Sequence, residues 1–273
     1  MKYTGKSVLR YPGGKTRAVS LIMPFLTRFE AKVLVSPFFG GGSIEFAWAQ
    51  QKPSCRVEGY DIYPPLVAFW REALSNPGPL SNKVDAYRPM DKDLFLSLQK
   101  KLPSLSGRDA AAAFYALNRS SFSGATMSGG MSPGVKRFTE SSIQRLADFH
   151  APNVKVRLGD VFDVVEDLID SDPEDSVIYL DPPYKIDDSA LYGHKGNAHR
   201  GFEHERLAEL VHRLNGKGFR LVLSYNDSDS IRALYSRYLI TPLSWSYGMK
   251  NVAGGSMGSS SELLILSEPF STQ

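Results

Sequence analysis

Four consecutive residues, Asp181-Pro182-Pro183-Tyr184, directly follow the apolar run Val177–Leu180. Two prolines stiffen the turn, so an acidic side chain, a proline carbonyl and an aromatic face are held in fixed relation at the end of a strand. That set suits an exocyclic amine attached to a flat ring, whose nitrogen is a poor nucleophile because its lone pair is delocalised into the ring. The Asp181 carboxylate and the Pro182 carbonyl would accept its two hydrogens and favour a tetrahedral nitrogen, freeing the lone pair to attack. Tyr184 would stack on the ring. An ordinary Asp, with a pKa of about 3.9, is far too weak to deprotonate a neutral amine. The expected role of Asp181 is therefore polarisation, with the proton lost after the new bond forms. The plain structural alternative is a Pro-rich turn with a capping Asp.

Two Gly-rich segments invite comparison with phosphate loops, and both fail on spacing. Gly14-Lys15-Thr16 has the end of a triphosphate-binding loop, but the Gly required five positions earlier is Leu9. Phe38-Phe39-Gly40-Gly41-Gly42 follows a strand pattern and opens a helix pattern, yet the third Gly of a dinucleotide fingerprint would fall at Glu45. What remains is a turn that lets backbone approach a ligand closely. Asp61, 19 residues after Gly42 at the end of the next strand, is placed to take ribose hydroxyls. Tight strand–helix packing for the glycines and a helix N-cap for Asp61 are the structural alternatives. His204-Glu205 begins a zinc-protease pattern, but Ala208 stands where the second ligand would be, and no metal is indicated. His194, His199, His204 and His212 are expected on the surface or facing a nucleic acid.

The elements that must position these groups alternate along the chain. A helix is expected over Thr16–Phe29, a strand over Lys32–Val35, a helix over Ser43–Gln50, a strand over Arg56–Tyr60 and a helix from Pro64-Pro65 to about Ser75. Residues 77–150 change character, with helices over Asp91–Leu102, Asp109–Leu117 and Ser141–Phe149 and a Ser/Gly-rich segment from Ser120 to Gly134. This segment reads as an insertion. The alternation resumes with strands at Lys155–Leu158, Val177–Leu180 and Arg220–Leu223, helices at His204–Asn215 and Ser228–Tyr235, and closing strands at Tyr238–Ile240 and Glu262–Leu266. The pattern is an α/β chain with a mostly parallel sheet. Gly254–Ser261 reads as a flexible hairpin loop.

The chain has 273 residues, 42% hydrophobic and 22% charged, which excludes disordered and fibrous classes. A single cysteine, Cys55, excludes an internal disulfide and suits a reducing compartment, and no apolar run reaches the length of a membrane span. A soluble, cytosolic protein is expected. Net charge is only +3, but its distribution is uneven. Lys2, Lys6, Arg10, Lys15, Arg17 and Arg28 face no acidic residue in the first 29 positions, and Arg119, Lys136, Arg137 and Arg145 face only Glu140 within residues 115–145. Such stretches are candidates for phosphate contact.

Arg10-Tyr11-Pro12-Gly13-Gly14-Lys15-Thr16, Pro37-Phe38-Phe39-Gly40-Gly41-Gly42-Ser43, Tyr60-Asp61-Ile62, Gly159-Asp160-Val161-Phe162, Asp181-Pro182-Pro183-Tyr184 and Glu262-Leu263-Leu264-Ile265 follow one another in this order. Over nearly the whole chain this series resembles the Dam-type (D12 class) DNA adenine-N6 methyltransferases. The resemblance implies a seven-stranded, Rossmann-like S-adenosylmethionine (AdoMet) fold, with residues 1–76 and 151–273 as the catalytic domain and 77–150 as an inserted helical and hairpin target-recognition region. It implies that Tyr11 and Lys15 line the cofactor pocket and that Pro37, Phe38, Gly40 and Gly42 pass the methionine part. It places Asp61 with Ile62 at the ribose, Asp160 with Val161 at the adenine, and Asp181 against both amine and cofactor, within an Asp181, Pro182, Pro183, Tyr184 catalytic set. The implied partner is double-stranded DNA, from which the adenine must be extruded because a paired amine is inaccessible to an in-line sulfonium. A monomer without metal is expected.

The chain departs from the family pattern at Tyr63, where an Asn is often found, and within residues 118–137, which keep only the outline of the recognition region. The GATC specificity of the common family member is therefore not carried over. In this segment Asn118, Arg119, Lys136 and Arg137 are candidates for phosphates or guanine edges, and Phe122 or Met127 for a wedge beside the extruded base. Competing readings are methylation of adenine in RNA, of a protein amide or of DNA without a strict site, and a DNA-binding relative that has lost activity. Substrate competition separates the first group, and a DNA shift without turnover would mark the last.

Overall fold

The computed structural model describes residues 6–173, 175–185, 201–245 and 260–267. In chain order its helices and strands are α1 (Val19–Thr27), β1 (Val33–Ser36), α2 (Ser43–Gln51), β2 (Arg56–Asp61), α3 (Pro64–Ser75), α4 (Pro77–Asp85), α5 (Lys92–Lys101), α6 (Gly107–Ser120) and α7 (Glu140–Ala147). There follow β3 (Val154–Leu158), α8 (Val161–Ile169), β4 (Ser176–Leu180), α9 (His204–Gly216), β5 (Arg220–Asn226), α10 (Asp229–Leu234), β6 (Leu239–Trp245) and β7 (Ser260–Leu266). The strands form one seven-stranded sheet in the order β3-β2-β1-β4-β5-β7-β6. β2 with β3, β1 with β4 and β4 with β5 run parallel, whereas β7 pairs antiparallel with both β5 and β6. This is the α/β, Rossmann-like sheet that the sequence leads one to expect. Its strand order reverses between β1 and β4, and open sheets of this kind bind ligands beyond the carboxyl ends of their strands at such a reversal.

The chain divides into two compact units. The first runs to Thr16 and resumes over Ser36–Val161; the second takes Arg17–Val35 and continues from Phe162. The core of the first is aromatic. Phe46 and Trp70 lie 5.0 Å apart between ring centroids, Phe39 meets Phe46 edge-on at 5.6 Å, and Phe69 stacks on Tyr115 at 5.3 Å. Edge-on and offset pairs of this kind add about 0.5–1.5 kcal/mol each beyond burial. α6 packs against α3, α4 and α5, and α4 also packs against α7. Tyr115 reaches from α6 to donate a hydrogen bond to the Ser142 carbonyl of α7 at 2.8 Å. α7 starts at a capping box in which Thr139 and Ser142 each accept the other's backbone N–H.

In the second unit every residue of β4 is buried, as a strand covered on both faces requires. α9 turns Leu207, Leu210, Val211 and Leu214 inward, a spacing that makes one apolar stripe. Two local differences from the sequence expectation have simple causes. The helix expected over Thr16–Phe29 begins as a 3-10 turn, Lys15–Arg17, and only then becomes α1, with Pro24 inside it. α4 was hidden behind Pro77-Gly78-Pro79, which resembles a break; a proline in the first turn lacks an N–H that would have no partner there anyway. No helix among the described residues is long and apolar enough to cross a membrane, and none of their His, Cys, Asp and Glu side chains cluster as a metal site.

Candidate active site

In the first unit the turn after β1 is fastened from three sides. Phe39 N donates to the Tyr60 carbonyl at 2.8 Å, Gly40 N donates to Asp61 Oδ2 at 2.9 Å, and the Trp70 indole N–H donates to the Gly40 carbonyl at 2.9 Å. Gly42 caps α2 with φ of 67°, and a Cβ there would stand 2.5 Å from Phe46, so both backbone and space demand glycine. The Tyr11 side chain lies against the preceding glycines: a Cβ on Gly40 would sit 2.9 Å from its ring, and one on Gly41 2.7 Å from its Cβ. Pro37 is buried, Phe38 half-buried and Lys15 buried, with Lys15 Nζ 3.4 Å from the Gly13 carbonyl. At the former fingerprint position, Glu45 accepts a 2.6 Å hydrogen bond from Ser36 Oγ.

Asp61 is the hub of this half. Besides Gly40 N, its carboxylate takes Tyr63 N at 2.9 Å. Burial pushes its carboxyl above the usual range, against the opposing pull of the Tyr63, Gly40 and Ile62 backbone N–H groups. Ile62, next to it, is exposed. β2 and β3 end side by side with Asp61 opposite Leu158, and Gly159 N donates to the Asp61 carbonyl at 3.1 Å, which brings half-buried Asp160 and buried Val161 to the same rim. The structure therefore joins Tyr11, the 37–42 turn, Asp61, Ile62, Asp160 and Val161 in one neighbourhood. The donor set fits a nucleoside-bearing cation: backbone close enough for contact at glycine, a carboxylate for hydroxyl groups, and an aromatic face for positive charge.

In the second unit β4 delivers the Asp181-Pro182-Pro183-Tyr184 turn, with Pro182 buried and the other three residues half-buried. Ser224 Oγ on β5 donates to Asp181 Oδ1 at 2.9 Å, and the Tyr179 hydroxyl lies 2.9 Å behind Ser224. Asn226 closes the other end, accepting from Lys185 N and donating to the Lys185 carbonyl, both at 3.0 Å. The Tyr184 hydroxyl donates to Glu262 Oε1 on β7. Sequence reasoning missed Ser224 and Asn226 and read Glu262 only as part of a buried strand. The available signal was the change from apolar to polar residues at the end of β5, since strand ends are where ligand chemistry is expected.

His204 is buried, and its Nδ1 pairs with the Tyr225 hydroxyl at 2.7 Å, so it is a core group and not the surface residue expected. His212 is half-buried with Nδ1 2.7 Å from the Tyr238 hydroxyl, and burial pulls its pKa down. His194 and His199 lie outside the described residues, as do residues 254–259 of the expected hairpin loop, while Ser260 and Ser261 belong to β7.

The remaining candidates lie in the first unit, around the end of α6. This helix continues through Asn118 and Arg119, and both are buried. Asn118 grips the backbone of Arg10: Oδ1 accepts from Arg10 N at 3.0 Å and Nδ2 donates to Arg10 O at 2.7 Å and to Gly124 O at 3.1 Å. Gly124 has φ of 78°, and a Cβ there would fall 2.1 Å from the Arg10 carbonyl oxygen. Arg119 Nε donates to the Arg137 carbonyl at 3.0 Å. Burial, followed by repulsion from Arg137, lowers the pKa of Arg10; burial lowers that of Arg119 too, with Arg145, Arg10 and Arg137 adding to it. These guanidiniums form a mutually repelling cluster. Phe122 and Met127 are large exposed apolar side chains at 63% and 40% exposure, and Lys136 and Arg137 are exposed. Ser123, Thr126 and Val135 hold φ of 53°, 42° and 44°, a left-handed backbone unusual for residues other than glycine.

The chain matches the family described as D12 class N6 adenine-specific DNA methyltransferase over residues 11–249. No curated protein sequence matches it. Among solved structures it is similar to precorrin 8w decarboxylase of Methanobacterium thermoautotrophicum, at 15% identity and TM-score 0.42, covering 95% of this chain and 94% of that one. It is also similar to precorrin-6y C5,15-methyltransferase of Geobacter metallireducens, at 10% identity and TM-score 0.41, covering 97% of each chain. A SAM-dependent methyltransferase of Agrobacterium tumefaciens matches at 12% identity and TM-score 0.43, covering 93% of this chain and 61% of that one.

Proposed function

The chain belongs to the D12 class N6 adenine-specific DNA methyltransferases, and from that membership we propose that it methylates the exocyclic N6 of an adenine extruded from double-stranded DNA. It is a methyltransferase, and AdoMet is its methyl donor. The observation that carries the finer reading is the Asp181–Tyr184 turn, half-buried at the mouth of a wholly buried strand and tied down at both ends.

Bound AdoMet supplies an electrophilic methyl group on a sulfonium centre. Tyr11 and the Gly40–Gly42 turn hold its methionine end, with Lys15, Pro37 and Phe38 in the same pocket. Asp61 beside Ile62 accepts the ribose hydroxyls, and Asp160 with Val161 borders the adenine ring. On the substrate side, the Asp181 carboxylate and the Pro182 carbonyl accept the two amine hydrogens, which localises the nitrogen lone pair, while Pro183 stiffens the turn and Tyr184 stacks on the base. The surplus proton leaves after transfer, because a carboxylate is too weak to remove it beforehand.

Residues 77–150 are read as the target-recognition insertion in a catalytic domain made of 1–76 and 151–273. Lys136 and Arg137 meet phosphates, Phe122 and Met127 wedge beside the vacated base, and Asn118 and Arg119 support them from within α6. The setting is the cytosol, and the acting species a monomer. Incubation with AdoMet and unmethylated DNA, followed by mapping of N6-methyladenine at single-base resolution, tests this reading. Methylation at one short motif makes 118–137 a specific reader, and scattered methylation makes it a phosphate-tracking segment. No methylation on any duplex overturns the DNA reading and points to RNA or to an inactive relative.

A further inference from the structure

The turn at Asp181 cannot be fastened as an ordinary strand end is. Pro182 and Pro183 remove two successive backbone N–H groups, which weakens the main-chain hydrogen bonding that would otherwise fix the direction in which Asp181 and Tyr184 point. Side chains of neighbouring strands supply the fastening instead. Ser224 and Asn226, two apart on β5, share one face of the sheet, and Glu262 on β7 is the direct cross-strand partner of Asn226. All three reach the same turn, at Asp181, Lys185 and Tyr184 respectively.

Ser224 is fully buried. A serine hydroxyl has one hydrogen, and Ser224 Oγ donates it to Asp181 Oδ1. The Tyr179 hydroxyl, 2.9 Å from Ser224 Oγ, must then be the donor to it. The result is a directed relay from Tyr179 through Ser224 to one oxygen of Asp181.

We propose that Ser224, backed by Tyr179, is a positioning residue of the methyl transfer that sets the orientation of the Asp181 carboxylate, with Asn226 and Glu262 holding the far end of the same turn. This rests on Asp181 being the acceptor for the amine. Ser224 touches neither substrate nor cofactor in this scheme. Its removal takes away the bond that fixes Oδ1 and lets the carboxylate shift its orientation relative to the amine, and misplacement of a reacting group by about 1 Å can cost about 100-fold in rate.

The test compares wild type, Ser224→Ala, Ser224→Thr and Tyr179→Phe in single-turnover methyl transfer to duplex DNA, alongside AdoMet affinity, DNA affinity and melting temperature. Ser224→Ala is expected to slow transfer by about 10–100-fold with both affinities unchanged and the melting temperature lowered only by the few degrees that the lost buried hydrogen bonds account for. Ser224→Thr, which keeps the hydroxyl, restores most of the rate. Tyr179→Phe produces a smaller loss of the same kind, because Ser224 keeps its own hydrogen bond. A Ser224→Ala enzyme within twofold of wild type overturns the proposal, as does a loss that comes only with equal losses of AdoMet affinity and thermal stability. If Ser224→Ala does not fold, Tyr179→Phe decides: slower transfer at unchanged affinity supports the relay, and wild-type transfer overturns it. An inactive wild type overturns the parent reading together with this one, whereas an active wild type with an unaffected Ser224→Ala overturns this one alone.

Discussion

Replacing Asn118 with Ala should release the N-terminal segment that carries Tyr11. The Asn118 side chain makes three hydrogen bonds, two to the Arg10 main chain and one to Gly124 O. Each neutral hydrogen bond contributes about 1 kcal/mol net, and a buried acceptor left unpaired costs about 1–3 kcal/mol. Arg10 is half-buried, so water can replace much of what its N–H and C=O lose, but Gly124 is buried and Asn118 itself is wholly enclosed. The sum is about 3 kcal/mol, most of it local. The sharpest assay is amide hydrogen exchange at Arg10, whose N–H is held by Asn118 Oδ1; its exchange should quicken by about 100-fold in Asn118→Ala. Asn118→Asp is the stricter control. It keeps the acceptor for Arg10 N but turns a donor into a charged oxygen facing two carbonyls. The folded protein then prefers the protonated carboxyl, so the variant is weaker than Asn118→Ala at neutral pH and regains stability as the pH falls into the carboxyl range. Wild-type exchange at Arg10 in Asn118→Ala, or an Asn118→Asp variant indifferent to pH, would refute the reasoning.

Asp181→Ala should lower methyl transfer by about 10²–10⁴-fold while DNA affinity, read by gel shift, stays at the wild-type value, since the basic cluster is untouched. Gly41→Ala places a Cβ 2.7 Å from Tyr11 Cβ, and the resulting displacement should weaken AdoMet binding about tenfold in calorimetry. Ser123→Gly relieves a φ of 53° and should raise stability by about 0.5–1 kcal/mol in thermal or denaturant unfolding, the relief of left-handed steric strain in the folded chain exceeding the entropy glycine adds to the unfolded one. Burial pushes the Tyr225 and Tyr235 hydroxyls up and raises that of Tyr238 to about 12. The unfolded chain loses these protons near pH 10 and the folded chain holds them longer, so stability is intact below about pH 10 and falls as pH climbs from there towards 12. Phenolate absorbance from Tyr225 and Tyr235 should therefore appear only with loss of the circular dichroism signal.

Elements whose cause is local were legible in the sequence. β1, β2, β4 and α3 announce themselves by apolar runs and by Pro64-Pro65, and they fall within a residue or two of expectation. The Gly40–Gly42 turn and Asp61 were legible for the same reason, although the carboxylate also proves to bolt Gly40 in place. Residues whose task depends on distant partners were not. Asn118 lies in a Ser-rich stretch with weak helical preference, and it is helical and buried because it grips Arg10, 108 positions earlier. Ser224 reads as the tail of a strand until β4 is laid beside β5. α4 was obscured by prolines whose position in the first turn makes them harmless.

The location of Glu262 gives the Asp181–Tyr184 turn a dependence on the order of synthesis. Ribosomes extend chains at about 5–20 residues per second, and Tyr184 and Glu262 are 78 positions apart, so the turn waits about 4–16 s for its last fastener. Once β5 is complete at Asn226, 36 residues before Glu262, it has β4 on one side and nothing of its final sheet on the other for about 2–7 s, because β7 lies between β5 and β6. An open strand edge is a template for wrong pairing. The nascent chain is thus unlatched at Tyr184 throughout and exposed along β5 for the latter part of that wait, and the pace of translation after Asn226 lengthens or shortens both.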